Sequence, residues 1–161
     1  MNGHRINAMF VCLALILAVQ AFAQSTTAPS ATKRYVNLDW HGVALHGYDP
    51  VAYFTQGKPV KGDKKFSSDY RGAIYRFASA DDKAMFDTEP TKYEPQFGGF
   101  CAYAVSQDRT ADIQPDCWSI VDGRLLVQNS PKAVELWNKD VAGHIKSADQ
   151  NWPAIADKNG K

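Results

Sequence analysis

Residues Ala8 to Val19 form an unbroken apolar run, and no other feature restricts the chain as much. Before it, Met1 to Asn7 is short and polar and carries Arg5; after it comes Ala21-Phe22-Ala23, just ahead of Gln24. A charged start, an apolar stretch and an A-x-A site are the layout of a secretory signal peptide, predicted here over residues 1–23. A membrane-spanning helix needs about 18 or more apolar residues, and Gln20 and Gln24 cut this stretch short. No cysteine follows the cleavage site to carry a lipid. The expected product is a periplasmic or secreted chain of about 138 residues with no stable membrane anchor after cleavage. That length suits one globular domain and is short for two. An apolar content of 45% excludes a disordered chain. The glycines follow no period and no longer unit repeats, which excludes collagen and solenoids. Cleavage removes Arg5 and no acid, so 17 basic residues face 17 acidic ones. A neutral chain has no electrostatic footprint for nucleic acid.

Residues 24–34 are rich in Ser, Thr, Ala and Pro without apolar period, and read as a flexible lead to a domain over 35–157. Val43 to Leu45 reads as a short strand, Gly47-Tyr48-Asp49-Pro50 as a turn, and Val51 to Phe54 as an apolar block of undecided type. Lys65–Tyr70 and Ala73–Phe77 flank Arg71-Gly72 and carry β-favouring aromatics, which predicts a hairpin. Ser79 with Asp82 three residues on is a capping-box pattern, opening a helix that Pro90 stops. Pro95 to Gly99 reads as a flexible corner and Phe100 to Val105 as a short buried helix. Asp122-Gly123 between Trp118–Val121 and Leu125–Val127 predicts a second hairpin. Ser130-Pro131 caps a further helix. From Val134 through Trp137, Val141, Ile145 and Ala148 to Trp152 the apolar residues keep helical steps, predicting one amphipathic stripe, kinked at Gly143 and ended by Pro153. The expected fold is α+β: a small single domain of short β-hairpins and short helices, with a C-terminal amphipathic helix across an aromatic core.

Three blocks then carry a resemblance. They are Gly47-Tyr48-Asp49-Pro50-Val51-Ala52-Tyr53-Phe54, Tyr75-Arg76-Phe77-Ala78-Ser79, and Gly98-Gly99-Phe100-Cys101-Ala102-Tyr103-Ala104-Val105. With Phe86, Pro90, Tyr93, Trp118 to Leu125 and Asn151-Trp152-Pro153, they resemble the YHS-domain family, in its exported bacterial branch. The resemblance spans roughly residues 43–153. It implies metal binding, since the wider family includes Cys-rich modules attached to metal-handling proteins. It also implies chalcogen chemistry somewhere in the exported branch, which includes selenoproteins. The family's thiolate positions hold Ala52, Ala78 and Asp82 in this chain, so no metal ligand carries over from them.

Candidate chemistry gathers on Cys101. Gly98 and Gly99 permit a sharp turn, and a helix starting at Phe100 would place Cys101 in its first turn, where unpaired N–H groups favour a thiolate. The alternative is a small buried hydrophobe between Phe100 and Ala102. Cys117, beside Trp118, is either a free thiol or a disulfide partner sixteen residues away, a bridge that would contribute about 3 kcal/mol. The family pattern does not supply a cysteine there. His41 and His46 fall on opposite faces of a strand, but a turn between them would let both join Cys101 in a copper or zinc trio. Otherwise they are turn histidines, and His144 is a solvated one. Tyr48, Asp49, Tyr53 and Tyr103 are candidates to line a pocket, against a plainer role as core rings and, for Asp49, a turn cap.

No residue is assigned a catalytic role, and G-x-S-x-G, H-E-x-x-H, P-loop and C-x-x-C signatures are missing. Three readings stand. The leading one is an exported YHS-like binding module without turnover, holding copper or zinc through Cys101 with His46 or His41. A second is a thiol redox protein in which Cys117 resolves an oxidised Cys101. A third is a non-catalytic module that binds a small molecule or an unknown protein partner.

Overall fold

The computed structural model of the protein describes residues 34–160. The expected signal peptide and all of the lead except Arg34 lie outside the described residues. Among the described residues, six α-helices and two separate two-stranded antiparallel sheets make up the α+β domain: α1 (Pro50–Thr55), β1 (Asp63–Tyr70), β2 (Ala73–Phe77), α2 (Ala80–Thr88), α3 (Pro90–Tyr93), α4 (Ala102–Ser106), β3 (Gln114–Val121), β4 (Arg124–Gln128), α5 (Pro131–Trp137) and α6 (Val141–Asn159).

Local chemistry explains most of these boundaries. Both hairpins turn through two left-handed residues, Arg71-Gly72 at φ 53° and 81° and Asp122-Gly123 at φ 51° and 73°. Such turns match the right-handed twist of the flanking strands. Ser79 Oγ accepts from Asp82 N at 3.0 Å to start α2, and Ser130 Oγ accepts from Ala133 N at 3.3 Å to start α5. The undecided block after Asp49 is helical because Pro50 takes the first position and the Asp49 carboxylate caps it. Pro90 ends α2 and also opens α3, where its missing N–H costs nothing.

Four expectations are corrected. The strand read from Val43 pairs only at Val43 (with Ile74) and Ala44 (with Leu38); Leu45, His46 and Gly47 then turn left-handed at φ 51°, 53° and 77°. The apolar stripe from Val134 to Trp152 is two helices, not one. Its break lies at Asn138–Asp140, where Asp140 Oδ1 accepts from Gly143 N at 2.9 Å and starts α6. Gly143 therefore does not kink a helix; a Cβ there would stand 2.1 Å from Asp140 Oδ2, so glycine admits the cap. Pro153 lies inside α6 rather than at its end.

Three apolar clusters fill the interior. One joins Phe77, Phe86, Tyr75 and Tyr93 under the first hairpin. A second surrounds Leu125, Val127, Cys101 and Tyr53. The third, with Trp137, Leu126, Phe97, Phe100 and Ala148, seats α6 against α4. Asn151 fixes that seat by donating from Nδ2 to the Val105 and Ser106 carbonyls at 3.0 and 3.3 Å, closing the C-terminal end of α4.

Candidate functional site

Cys101 is the N-cap residue of α4, one position before the helix rather than within its first turn, and it is 1% exposed. Its thiol donates to Gln128 Oε1 at 3.3 Å, and its own N–H donates to the Ala111 carbonyl at 3.0 Å. The same Gln128 oxygen accepts the Tyr103 N–H at 3.0 Å. The helix end is thus satisfied by a neutral amide oxygen carried on β4, not by sulfur. Cys101 is thus packed as a core residue, its sulfur bonded to Gln128 within an apolar cluster. Cys117 is also buried, and burial, with Asp116 and Cys101 adding, pushes its thiol up from the ordinary value. Both cysteines are unbridged.

The two histidines nominated with Cys101 are engaged elsewhere. The His41 ring is exposed and lies 3.5 Å, centroid to centroid, from the Trp40 ring. His46 Nε2 sits 2.8 Å from Asp112 Oδ1, an oxygen that also accepts from Asn37 Nδ2 at 2.8 Å. Among the described residues no group of three or more His, Cys, Asp or Glu side chains could hold a metal ion.

Nor do the four pocket candidates frame a common cavity. Tyr53 is buried, donates from its hydroxyl to the Pro115 carbonyl at 3.0 Å and meets Trp118 edge-on; Tyr48 lies under the Lys61 ammonium at 4.5 Å. Tyr103 lines a small cavity of about 150 Å³ with Cys101, Arg109 and Lys132. Asp49 is fully buried: Oδ1 accepts from Val51 N at 2.8 Å and Ala52 N at 3.3 Å, while Oδ2 accepts from Ala78 N at 2.8 Å. Burial pushes its carboxyl up to about 6 against the bonds from Ala78 and Val51, and the neighbouring Asp82 carboxyl adds to the rise. This is a buried clasp between α1 and the end of β2.

A second, larger concavity has a volume of about 410 Å³. Its walls come from the entering chain (Arg34, Tyr35), the turn at Phe97, β4 (Arg124) and α6 (Asp149, Trp152). Glycine makes it possible. Gly98 is left-handed at φ 59°, and a Cβ there would lie 2.1 Å from the Tyr35 carbonyl oxygen. With hydrogen only, the Gly98 carbonyl accepts from Asn37 N at 2.8 Å and the entering chain lies flat on the turn. Tyr35 then stacks on Phe100 at 4.5 Å and faces Trp152 at 6.2 Å, while Trp152 meets Phe97 at 6.0 Å.

Charged groups rim these rings in an ordered way. Arg124 binds both oxygens of Asp149, at 2.9 and 2.6 Å, and donates from Nε to Gln96 Oε1 at 3.1 Å. Asp149 raises the Arg124 pKa further above its ordinary value. The guanidinium also sits 5.5 Å over the Phe97 ring. Glu94 is held by Arg71 at 3.0 Å and approached by Arg34 at 3.5 Å. The sequence singled out Gly98 and Trp152 for other reasons and gave Arg124 no role. Nothing local links Arg124 to Asp149, 25 residues on, or Tyr35 to Trp152. No family model, curated protein or solved structure matches the chain.

Proposed function

We propose that the protein is an exported binding module for a small organic molecule, held in the cleft between Tyr35, Phe97 and Trp152. The observation that carries this reading is a concavity of about 410 Å³ whose aromatic walls are supplied by three separate segments and fixed by a bidentate ion pair. That volume falls in the range of small-molecule sites. Rings supply contact area at little conformational cost, and a guanidinium locked by Asp149 and Gln96 keeps its place before any ligand arrives. Under this reading the YHS-like blocks are retained as scaffold: Asp49 and the Gly98 turn hold backbone together, and Cys101 fills core. A copper or zinc site built on Cys101, His46 and His41 draws no support from the geometry, because each side chain is committed to a different partner. The redox reading draws no support from the geometry either, since both thiols are buried.

A fragment screen followed by amide and indole NMR shifts tests the proposal. Binding should perturb Phe97, Gly98, Arg124 and the Trp152 indole together, and Trp152→Ala should abolish it. Shifts that cluster around Cys101, Arg109 and Lys132 instead, or no shifts from any aromatic fragment, would sink this reading.

A further inference from the structure

Two guanidinium groups (Arg34 and Arg124) and two carboxylates (Glu94 and Asp149) line the cleft, and Arg71, outside the lining, also bonds Glu94. Arg124 is spent, with Nε and both terminal nitrogens bonded to Gln96 and Asp149. Glu94 is already neutralised by Arg71 at 3.0 Å. Arg34 is the surplus: among the described residues its ion pairing is the 3.5 Å approach to Glu94, and its side chain is 38% exposed at the cleft wall. Its planar fork therefore has donors to offer beside an aromatic lining.

Resting on the ligand-binding reading above, we infer that the cleft selects a small aromatic carboxylic acid in its singly charged form, with Arg34 as the residue that reads the carboxylate. A carboxylate matches a guanidinium with two parallel hydrogen bonds, which a neutral amide or alcohol cannot reproduce. The planar body then lies against Trp152 and Tyr35. A dianion such as a phosphate monoester would meet Glu94 and Asp149 without a second surplus cation to offset them. The carboxylates in the wall thus discriminate by charge number, and the arginine by shape.

Calorimetry on the full chain, with four matched probes, tests this: indole-3-acetate, its primary amide, phenylacetate and phenyl phosphate. Both acids should bind, indole-3-acetate about tenfold or more tighter than its amide and phenyl phosphate weakest. Arg34→Gln should bring acid and amide to equal affinity, while Arg34→Lys should restore part of the acid preference. Because Arg71 still pairs Glu94 in both variants, thermal denaturation should show them folded. If acid and amide bind equally, or if the preference survives Arg34→Gln, the inference fails while the cleft remains a binding site. If none of the four probes binds, the cleft reading falls and takes the inference with it.

Discussion

At Gly98 one missing methyl group decides where the chain enters the domain. An alanine there would need a strained left-handed backbone and would press its Cβ on the Tyr35 carbonyl, which belongs to backbone and cannot swing away. Gly98→Ala should destabilise by more than about 2 kcal/mol in urea titration and speed hydrogen exchange at the Asn37 amide. Unchanged exchange at Asn37 would mean the entering chain is not held by this turn. Cys101 shows the opposite lesson. Its spacing after two glycines invites a reactive reading, yet the tertiary partner Gln128 gives the thiol an acceptor and apolar side chains pack around it. Cys101 should resist iodoacetamide in the folded, reduced protein at neutral pH and react only in denaturant. Fast alkylation of the native state would overturn that assignment. Gln128 itself carried no signal in the sequence, because a glutamine at the end of a strand is ordinarily solvated.

Among the elements, α1 and β2 depend on one acid. Asp49 bonds three backbone N–H groups that helix and strand would otherwise leave without partners. Its folded carboxyl titrates near 6, above the unfolded value of about 3.9. A raised acid binds more protons when folded, so its contribution is full below about pH 4 and is lost as pH rises through about 6. Surface acids held below their ordinary value, such as Asp87 beside Lys83 and Glu135 beside Lys132, contribute in the opposite sense and weaken as pH falls. Asp49→Asn isolates the first effect. It should cost about 1–3 kcal/mol by leaving a backbone N–H without an acceptor. The stability gap from the unmodified protein should be largest near pH 4–5 and narrow toward pH 8, a range set by the same titration. A gap that widens with pH would show that Asp49 is held ionised. At this scale the sequence was informative wherever the cause was short-ranged: Ser79, Ser130, Arg71-Gly72 and Asp122-Gly123 all do what their chemistry requires. It misled where a pattern had two local solutions. The stripe through Trp137 and Val141 fits a single helix until Asp140 caps a second one.

For the whole domain, the two hairpins never share a sheet, so side chains and helices must couple them. Asp112 is one such coupling, since a single carboxylate oxygen meets Asn37, His46 and the Ile113 N–H, each at 2.8 Å. Helix α6 is another, through Asn151, Trp152 and the Asp149 pair to Arg124. Unfolding followed by tryptophan fluorescence and by far-UV circular dichroism should therefore give coincident transitions. Removing residues 141–161 should abolish the cooperative transition altogether, since Trp137, Phe97 and Phe100 would lose the helix that covers them. Two separated transitions in the intact chain would show that the hairpins fold independently.

The sequence by itself determined the α+β class, both hairpins, the capped helix starts and the aromatic character of the core. Those follow from forces that act within a few residues: backbone sterics, side-chain caps and the period of apolar side chains. Only the tertiary structure decided which distant groups meet, and so where a ligand could bind. That Cys101 finds an amide instead of an imidazole, and that Tyr35, Arg124 and Trp152 enclose one cleft, depends on how α4, β4 and α6 pack. Packing is a property of the assembled surfaces, and no spacing along the chain encodes it.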